Sequence, residues 1–492
     1  MASAMPLVLL LLCLLVTDTH GSRRVLFRST DDSGSSPPSN AACPSMASGH
    51  SNGNKLPLVH RLNPCSPLKS SGIRKHGKAA LAEILHRDSL RMRYLSEFKA
   101  AAATTTAPAL SPTSASNRTA PATPNVISSL PGVFTYTALA GYGTPAQQFP
   151  VYFDVSGMSN LQCKPCSSGS GDGTCDRAFD PSRSSTFGTI PCGSPDCAVE
   201  LQTSSCASGG SCTFMFRNST FLYANGTVVT DTLTLSSAIF EDFFFGCLQA
   251  DNQFFFDDGT AVGNVDLSRR HHSLATRALL SSPSGTAAFS YCLPADTDTH
   301  GFLTIAPAMS DYSSLAGVKY LPLVTNNPTA PDWYYVDLVA ITIDGKDLPF
   351  PPNEFSGNGT FIDNLSSFSY LSPPIYAALR DKFRRAMAKY QPAPAFSDLD
   401  TCYNFTGINY IELPEIMLKF GNGETMDLDD RQFMYFFRDH LDDGFPFGCL
   451  AFAAYPTYGY NWLGTQMQRT KEIVFDVRGG QVAFVPSRCG LR

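Results

Sequence analysis

The chain has 492 residues, of which 43% are hydrophobic and 16% are charged. A chain of this length and composition can form two or three domains with a large core. Its formal net charge of -6 provides no basic surface of the kind that binds nucleic acid, so we expect no nucleic-acid partner.

The N-terminus carries an apolar run from Pro6 to Val16, followed by a polar stretch that contains Gly21. Such a run is too short to span a bilayer and is typical of a secretory signal peptide. We therefore expect a signal peptide over residues 1–21; the alternative interpretation is a membrane anchor. Because no later segment is long and apolar enough for a membrane helix, we expect no membrane span.

Residues 22–125 form a polar leader that is rich in Ser, Pro, Ala and Thr. Within it, Ala79 to Ala100 resembles a helix, with leucines spaced among charged residues that include a Lys and Arg cluster. A cationic amphipathic leader before an acidic body suggests a prosegment held partly by charge, followed by a linker. The alternative is a disordered secretory stalk, which the composition of residues 101–124 also fits.

From about Val126 the sequence changes to short alternating runs separated by turn residues, a pattern typical of β structure. The predicted strands are Val133–Leu139, Gln148–Asp154, Thr227–Leu235, Gly301–Ile305, Tyr334–Ile343, Ile473–Val477 and Gln481–Val485. The clearest predicted helix is Pro374–Met387. A Pro-containing stretch near residues 324–331 divides this body, so we expect two β-rich lobes, 126–325 and 326–492, with a cleft between them.

Cysteine usage agrees with the secretory prediction. Of the 15 cysteines, Cys13 lies in the signal and two lie in the leader, which leaves 12 between Cys163 and Cys489. An even, high count in a secreted chain favours disulfides. Zinc is the alternative, but the Cys163–Cys166 pair has no second pair at a matching distance. We therefore interpret residues 163–212 as a disulfide-linked insertion.

Two short acidic turns carry the candidate chemistry. Asp154 and Asp363 each come directly after an apolar strand-like run, one in each half of the body. Two carboxyl groups at hydrogen-bond distance share one proton, so one can activate water while the other polarises a carbonyl. An Asp in such a turn can also be purely structural. The matched contexts favour a catalytic pair.

Several motifs together resemble those of plant pepsin-like aspartic peptidases of the cysteine-rich, nepenthesin-like type. They are the leader piece Leu56–Pro67 and the body segments Tyr142–Ala146, Phe289–Pro294, Leu399–Tyr403, Cys449–Phe452, Trp462–Gly464 and Ile473–Val477. The resemblance implies a mostly β, bilobal fold with two β-barrel-like lobes facing each other across a substrate cleft. It also implies six disulfides, among them Cys402–Cys449 and Cys292–Cys489, and no cofactor.

The sequence departs from this family at both catalytic turns. The family has Asp-Thr-Gly-Ser or Asp-Ser-Gly-Thr, whereas this protein has Asp-Val-Ser-Gly after Phe153 and Asp-Asn-Leu-Ser after Ile362. Val155 lacks the hydroxyl that bonds across to the partner loop, and Asn364 can replace it only with a different shape. Ser156 and Leu365 add a Cβ where the family has glycine, although a register shift could bring Gly157 into the first glycine place. Ser366 keeps the hydroxyl that bonds the outer carboxylate oxygen.

The flap departs in the same way. The family's flap tyrosine falls on Asn218, and the tryptophan that it usually meets is replaced by Asn160 or Leu161. Six Asn-x-Ser/Thr acceptor sequences for glycans occur, at Asn117, Asn218, Asn225, Asn358, Asn364 and Asn404. We expect Asn364 to be buried and unmodified, because a glycan there would block the cleft.

Three functions remain open. The first is an acid-active aspartic endopeptidase made as a zymogen, with Asp154 and Asp363 as the catalytic pair. The second is a pseudoenzyme that keeps the cleft for a peptide or protein, for example an inhibitor of microbial glycoside hydrolases as in the xylanase-inhibitor branch of this fold. The third is a carbohydrate-binding or cell-wall structural glycoprotein. The degenerate turns favour impaired or absent catalysis. We expect a monomer in the secretory pathway, extracellular, in the cell wall or in the vacuole.

Overall fold

A computed structural model describes residues 23–26, 55–60, 63, 65–66, 81–89, 91–92, 136–165, 177–200, 205–206, 210–217, 222–248, 262–281, 288–294, 299–325, 331–356, 359–408, 410–437, 447–455, 461–486 and 489. The predicted signal peptide, the linker and the flap position Asn218 lie outside the described residues.

The described body is mostly β structure, as the alternating pattern predicts. The strands are β1 (Arg23–Leu26), β2 (Lys55–His60), β3 (Tyr136–Tyr142), β4 (Gln147–Asp154), β5 (Asn160–Gln162), β6 (Gly188–Thr189), β7 (Ser205–Cys206), β8 (Cys212–Arg217), β9 (Leu222–Leu235), β10 (Ala238–Leu248), β11 (Gly263–Asp266), β12 (Ala288–Cys292), β13 (Gly301–Ile305), β14 (Lys319–Val324), β15 (Tyr335–Val336), β16 (Leu338–Ile343), β17 (Lys346–Asp347), β18 (Thr360–Ile362), β19 (Ser369–Leu371), β20 (Gln391–Ala393), β21 (Cys402–Asn404), β22 (Tyr410–Leu413), β23 (Ile416–Phe420), β24 (Thr425–Asp427), β25 (Met434–Phe437), β26 (Phe447–Leu450), β27 (Phe452–Ala454), β28 (Asn461–Leu463), β29 (Lys471–Asp476) and β30 (Gln481–Pro486).

The described residues contain fewer helices than strands. The helices are α1 (81–89 and 91–92, called the leader helix below), α2 (Pro195–Glu200), α3 (Leu274–Ser281), α4 (Ser310–Ser313), α5 (Pro352–Ser356), α6 (Pro373–Ala386), α7 (Asp430–Phe433) and α8 (Thr465–Gln468), with a 3-10 turn at Pro181–Arg183. The predicted helix Pro374–Met387 is confirmed as α6. Its two prolines stand at the start, where helix N–H groups need no internal partner, and Ile375, Leu379 and Phe383 are buried on one face.

A six-stranded antiparallel sheet joins the two halves of the body. Its order is β2-β13-β12-β29-β30-β14. The inner strands β12 and β29 come from opposite halves of the sequence. The edge strand β2 comes from the leader and also pairs with β3. The leader is therefore hydrogen-bonded into the body of the fold.

Each half also delivers one acidic turn from a strand in a parallel pair. Strand β4 runs parallel to β11 and ends at Asp154, which lies opposite Asp266. Strand β18 runs parallel to β28 and ends one residue before Asp363. Backbone hydrogen bonds then fix both turns, since Leu267 N–H donates to Asp154 O at 2.7 Å and Asp363 N–H donates to Leu463 O at 3.0 Å. Each turn is thus fixed by a backbone hydrogen bond at its aspartate.

Disulfides connect distant parts of the protein. The predicted pairs Cys402–Cys449 and Cys292–Cys489 are confirmed. Cys163–Cys247 ties the start of the insertion to strand β10, and Cys197–Cys212 closes a loop within the insertion. Cys65 and Cys192 are disulfide-bonded as well. Among the described residues, no helix is long and apolar enough to cross a membrane, and no group of His, Cys, Asp and Glu could hold a metal ion.

Gly464 shows how closely the second acidic turn is packed. It lies between β28 and α8, and a Cβ built there would sit 2.1 Å from Phe368 O and 2.9 Å from Ser366 O. Backbone atoms at these distances cannot move aside without displacing the turn. The packing around the Trp-Leu-Gly segment therefore requires glycine at position 464.

We predict that Gly464→Ala lowers the free energy of unfolding by about 1 to 3 kcal/mol, the usual cost of overpacking. Chemical denaturation measures the change. Gly188→Ala is the control, because its Cβ would first meet the movable side-chain atom Thr230 Oγ1 at 3.0 Å. Equal losses in the two variants would contradict the packing argument.

Candidate active site

The two predicted site residues lie together in the interior. Asp154 and Asp363 are both fully buried. One guanidinium nitrogen, Arg91 Nη2, lies 2.7 Å from Asp363 Oδ1 and 4.0 Å from Asp154 Oδ1. The structure therefore brings two carboxyl groups from opposite halves of the sequence to a single site.

The turn at Asp363 supplies donors to both carboxylate oxygens. Leu365 N–H donates to Oδ1 at 3.0 Å, and the N–H and hydroxyl of Ser366 donate to Oδ2. The added side group of Leu365 is buried and does not remove its N–H from the site. The expected role of Ser366 at the outer oxygen is confirmed.

The turn at Asp154 is incomplete by comparison. The N–H and hydroxyl of Ser156 both donate to Asp154 Oδ1, at 2.8 and 2.7 Å. Oδ2 of Asp154 is buried and has no hydrogen-bond partner among the described residues. Ser156 therefore occupies the family's glycine place, and the register shift that would put Gly157 there does not occur.

Asn364 joins the two turns on its own. Its Oδ1 accepts from Val155 N–H at 3.2 Å and its Nδ2 donates to Phe153 O at 2.6 Å. The side-chain amide of Asn364 thus accepts one hydrogen bond from the opposite loop and donates another to it. Val155 has no polar side chain that could form a further bond between the loops. Asn364 is only partly buried, so the expectation of a buried Asn364 is wrong. Its Nδ2 donates to Phe153 O, which fits the expectation of an unmodified side chain.

Two further residues support the turns from behind. The indole N–H of Trp333 donates to Ser156 O at 2.7 Å, and the amide of Gln468 donates to Asp363 O at 2.8 Å. Arg269 in turn donates to Trp333 O at 3.2 Å and so helps to hold the tryptophan in place. Asn160 is one of the two residues that replace the tryptophan which the family's flap tyrosine usually meets. It is buried, and its amide donates to Met158 O.

The leader helix occupies the site. Arg91 is buried, and its Nε and Nη2 donate to the two oxygens of Asp363 at 2.9 and 2.7 Å, while Nη2 also donates to Ser156 Oγ at 3.1 Å. A guanidinium that bonds both oxygens of one carboxylate makes a strong, directional pair. The candidate dyad is therefore closed off by a residue of the protein's own leader.

Asp88, one turn earlier on the same helix, is also buried. Both of its oxygens accept from Ser367 N–H at 3.0 Å, and Oδ2 accepts from Phe368 N–H at 3.0 Å. The Tyr370 hydroxyl lies 3.4 Å from Oδ2. The helix thus presents the Asp88 carboxyl to the segment that follows Asp363, and the Arg91 guanidinium to Asp363 itself and to Ser156.

Burial controls the charge of these groups. It raises the pKa of Asp88 to about 8, against the lowering effect of the Ser367 and Phe368 N–H groups. It also raises the pKa of Asp154, although Arg91 and Ser156 oppose this. Burial alone would lower the pKa of Arg91, but Asp363 and Asp154 outweigh it and raise that pKa, so the guanidinium stays charged.

Sequence reasoning found Asp154 and Asp363 but missed Asp88 and Arg91. It marked the leader helix by its leucines and basic residues, and interpreted the charges as a general attraction. Leu81 and Leu85 are indeed buried. A carboxyl seven positions after Leu81 lies on that same face, and this spacing was the available signal.

Comparisons with known proteins agree with this geometry. Residues 136–305 match the family model described as xylanase inhibitor N-terminal, and residues 333–486 match the one described as xylanase inhibitor C-terminal. The Arabidopsis thaliana protein named aspartyl protease AED1 is 30% identical over 463 residues, covering 92% of this protein and 90% of that one. The chain belongs to the pepsin-like aspartic peptidase family.

Other relatives place it in the plant branch of the family. Nepenthesin-2, an aspartic proteinase of Nepenthes gracilis, is 25% identical over 363 residues, or 72% of this protein and 78% of that one. The crystal structure of basic 7S globulin from soybean covers 72% of this protein and 95% of its own length, with a TM-score of 0.55 and 19% identity. At that identity it shows the fold, which is the predicted bilobal pepsin-like fold.

We predict that Asn364→Ala lowers the free energy of unfolding by about 1 to 3 kcal/mol, because it leaves Val155 N–H and Phe153 O without their partner. Denaturant unfolding measures the loss. The control is Asn422→Ala, whose exposed amide donates to Tyr320 O and whose removal is expected to cost within about 0.5 kcal/mol. A similar small cost at both positions would contradict the linking role of Asn364.

We predict that Asp154→Asn changes how stability depends on pH. The raised pKa of Asp154 means that the folded protein holds a proton which the unfolded protein releases above its ordinary value of 3.8. The wild type therefore loses stability relative to the variant as pH rises above about 4. Unfolding free energies of the two proteins across this range measure the difference.

Asp180→Asn is the control with the opposite sign. A bond from the Ser182 hydroxyl lowers the pKa of Asp180 below 3.8, so its contribution is present above that pH and is lost in acid. The same pH trend in both variants would contradict the assignment at Asp154.

Proposed function

We propose that this family member is a secreted aspartic-type endopeptidase in which catalysis by Asp154 and Asp363 is impaired or lost. The carrying observation is the asymmetry of the two turns. Asp363 has donors on both oxygens, whereas Asp154 Oδ2 has none among the described residues. A preorganised donor lost from an active site typically costs about 2.7 to 4 kcal/mol, or roughly 100 to 1000-fold in rate.

The dyad chemistry remains available in principle. The raised pKa of Asp154 favours its protonated form, which suits polarisation of a carbonyl, while Asp363 would activate water. Asn364 links the loops with two hydrogen bonds, so the site stays assembled. Weak hydrolysis in acid is compatible with this arrangement, and efficient turnover is not expected.

The second candidate is a pseudoenzyme that binds a peptide or protein in the cleft. The observation that favours it is the match of both halves to models described as xylanase inhibitor. An inhibitor of microbial glycoside hydrolases is one version of this function. No cofactor is needed for either candidate.

We further propose the domain layout that the sequence suggests. It comprises a signal peptide over 1–21, a prosegment and linker over 22–125, and lobes over 126–325 and 326–492. The disulfides and the plant relatives are compatible with the secretory pathway. We propose an extracellular, cell-wall or vacuolar monomer with glycans on some of its acceptor sites.

The test is cleavage of a diverse peptide library by secreted, deglycosylated protein between about pH 2 and 6, with and without pepstatin. The leader helix is first cut out and removed, because it closes the site. The comparison protein carries Val155→Thr, Ser156→Gly and Gly157→Ser, which restore the family's first turn. We expect this restored protein to cleave roughly 100 to 1000-fold faster than wild type.

The Asp154→Asn and Asp363→Asn double variant is the control for contaminating activity. Pepstatin-sensitive wild-type cleavage as fast as that of the restored protein would overturn the proposal of impaired catalysis. No cleavage by either protein would favour the binding function and direct the search to partners of the cleft.

A further inference from the structure

We infer that Asn404 carries an N-linked glycan, and that the turn after strand β21 presents its side-chain nitrogen for this modification. Asn404 begins one of the six acceptor sequences and is followed by Phe405 and Thr406. The inference rests on the proposed function only in that the chain enters the secretory pathway, where such glycans are added.

The turn holds the oxygen of the Asn404 side chain. Thr406 donates to Asn404 Oδ1 twice, from its N–H at 2.9 Å and from its hydroxyl at 2.7 Å. Strand β21 ends at Asn404, and the N–H of Ile408 donates to Phe405 O at 3.0 Å. An asparagine side chain that bonds the backbone two residues further on is a recurrent turn structure. The orientation of this amide is therefore fixed by its oxygen.

The nitrogen of the same amide is left to solvent. Among the described residues, Asn404 Nδ2 has no hydrogen-bond partner, and the atom is not buried. Asn404 is partly exposed and Thr406 is exposed. A sugar attached to Nδ2 would therefore break no hydrogen bond of the described structure.

Phe405 anchors the turn from inside. It is 2% exposed, and its ring centroid lies 5.4 Å from that of Tyr390 and 6.1 Å from that of Tyr403. Strand β21 is itself an inner strand, because it pairs with β20 on one side and β26 on the other. The apolar side chain of this acceptor sequence thus packs in the core, while its two polar side chains lie at the surface.

The modification is a group transfer. The bond that forms joins Asn404 Nδ2 to C1 of the first sugar, and the bond that breaks joins that carbon to the diphosphate of a lipid-linked oligosaccharide. The lipid diphosphate leaves with the bonding electron pair, and the amide gives up one proton. Nothing is oxidised or reduced, so the oligosaccharide donor is the only co-reactant.

The turn alone does not account for an asparagine at this position. The turn uses only Oδ1, and an aspartate carries an equivalent acceptor oxygen. The nitrogen is the atom that distinguishes Asn404 from an aspartate. The substitution Asn404→Asp therefore keeps the acceptor of the turn and removes the nitrogen that would take the sugar.

The other described acceptor asparagines are held differently. Asn364 Nδ2 donates to Phe153 O at 2.6 Å, so a sugar there would lie between the two acidic turns. Asn225 lies in the long strand β9, and its Oδ1 is buried without a hydrogen-bond partner among the described residues. The remaining acceptors, which lie outside the described residues, are Asn117, Asn218 and Asn358.

The test locates the glycans on full-length protein that is expressed with its own leader in plant cells and purified from cells and medium. Peptide N-glycosidase in heavy-oxygen water converts each glycosylated asparagine to a labelled aspartate, which mass spectrometry of peptides then locates. Because the wild-type protein alone shows which asparagine is labelled, the answer does not depend on the folding of any variant.

We expect the label at Asn404 and not at Asn364. In whole-protein mass spectra, Asn404→Asp should lose the mass of one oligosaccharide, and Asn364→Asp should lose none. Thr406→Ser keeps the hydroxyl and the acceptor sequence, so it should keep the oligosaccharide. Thr406→Ala should lose it, although Asn404 itself is unchanged.

The outcomes separate this inference from the proposed function. An unlabelled Asn404 in protein that has lost residues 1–21 would overturn the inference and leave the secretory proposal intact. Protein that retains residues 1–21 and carries no labelled asparagine would refute both. Labelling of Asn364 as complete as that of Asn404 would overturn the geometric argument. Efficient library cleavage would refute impaired catalysis and leave the glycan result untouched.

Discussion

The burial of two carboxyl groups at the junction of the two halves is the constraint on which this site depends. A buried ionised carboxylate is costly unless donors or a cation compensate it. The turn after Asp363 provides three donors, and the turn after Asp154 provides two from a single residue, both to one oxygen. Arg91 places a positive charge against both oxygens of Asp363, while burial raises the pKa of Asp154 and favours its neutral form.

The link between the turns is asymmetric in the same way. In the family pattern each turn offers a hydroxyl to the other, but here the amide of Asn364 makes both of the bonds described between the loops. That amide has both an acceptor and a donor, so it can serve a backbone N–H and a backbone carbonyl together. The N-terminal turn has thus lost polar groups that the C-terminal turn partly replaces.

Much of this arrangement could be predicted from local sequence. The strands before both turns, α6 and two disulfides follow from periodicity, proline placement and motif resemblance. The part that could not be predicted depends on long-range contacts. Asp88 and Arg91 look like ordinary helix charges, and only the fold shows that their partners lie near residue 365. The two hydrogen bonds of Asn364 to the opposite loop could not be predicted either. A sequence gives the residue types in a loop but not which atoms meet across it.

Ser156 shows what a serine in place of the family's glycine adds to this site. The N–H of Ser156 donates to Asp154, and a glycine N–H would make the same bond. The side chain of Ser156 is therefore not needed for that bond. The hydroxyl, however, accepts from Arg91 while it donates to Asp154, which joins the guanidinium to both halves of the dyad. The residue that departs from the catalytic pattern is therefore the one that strengthens the hold on the leader.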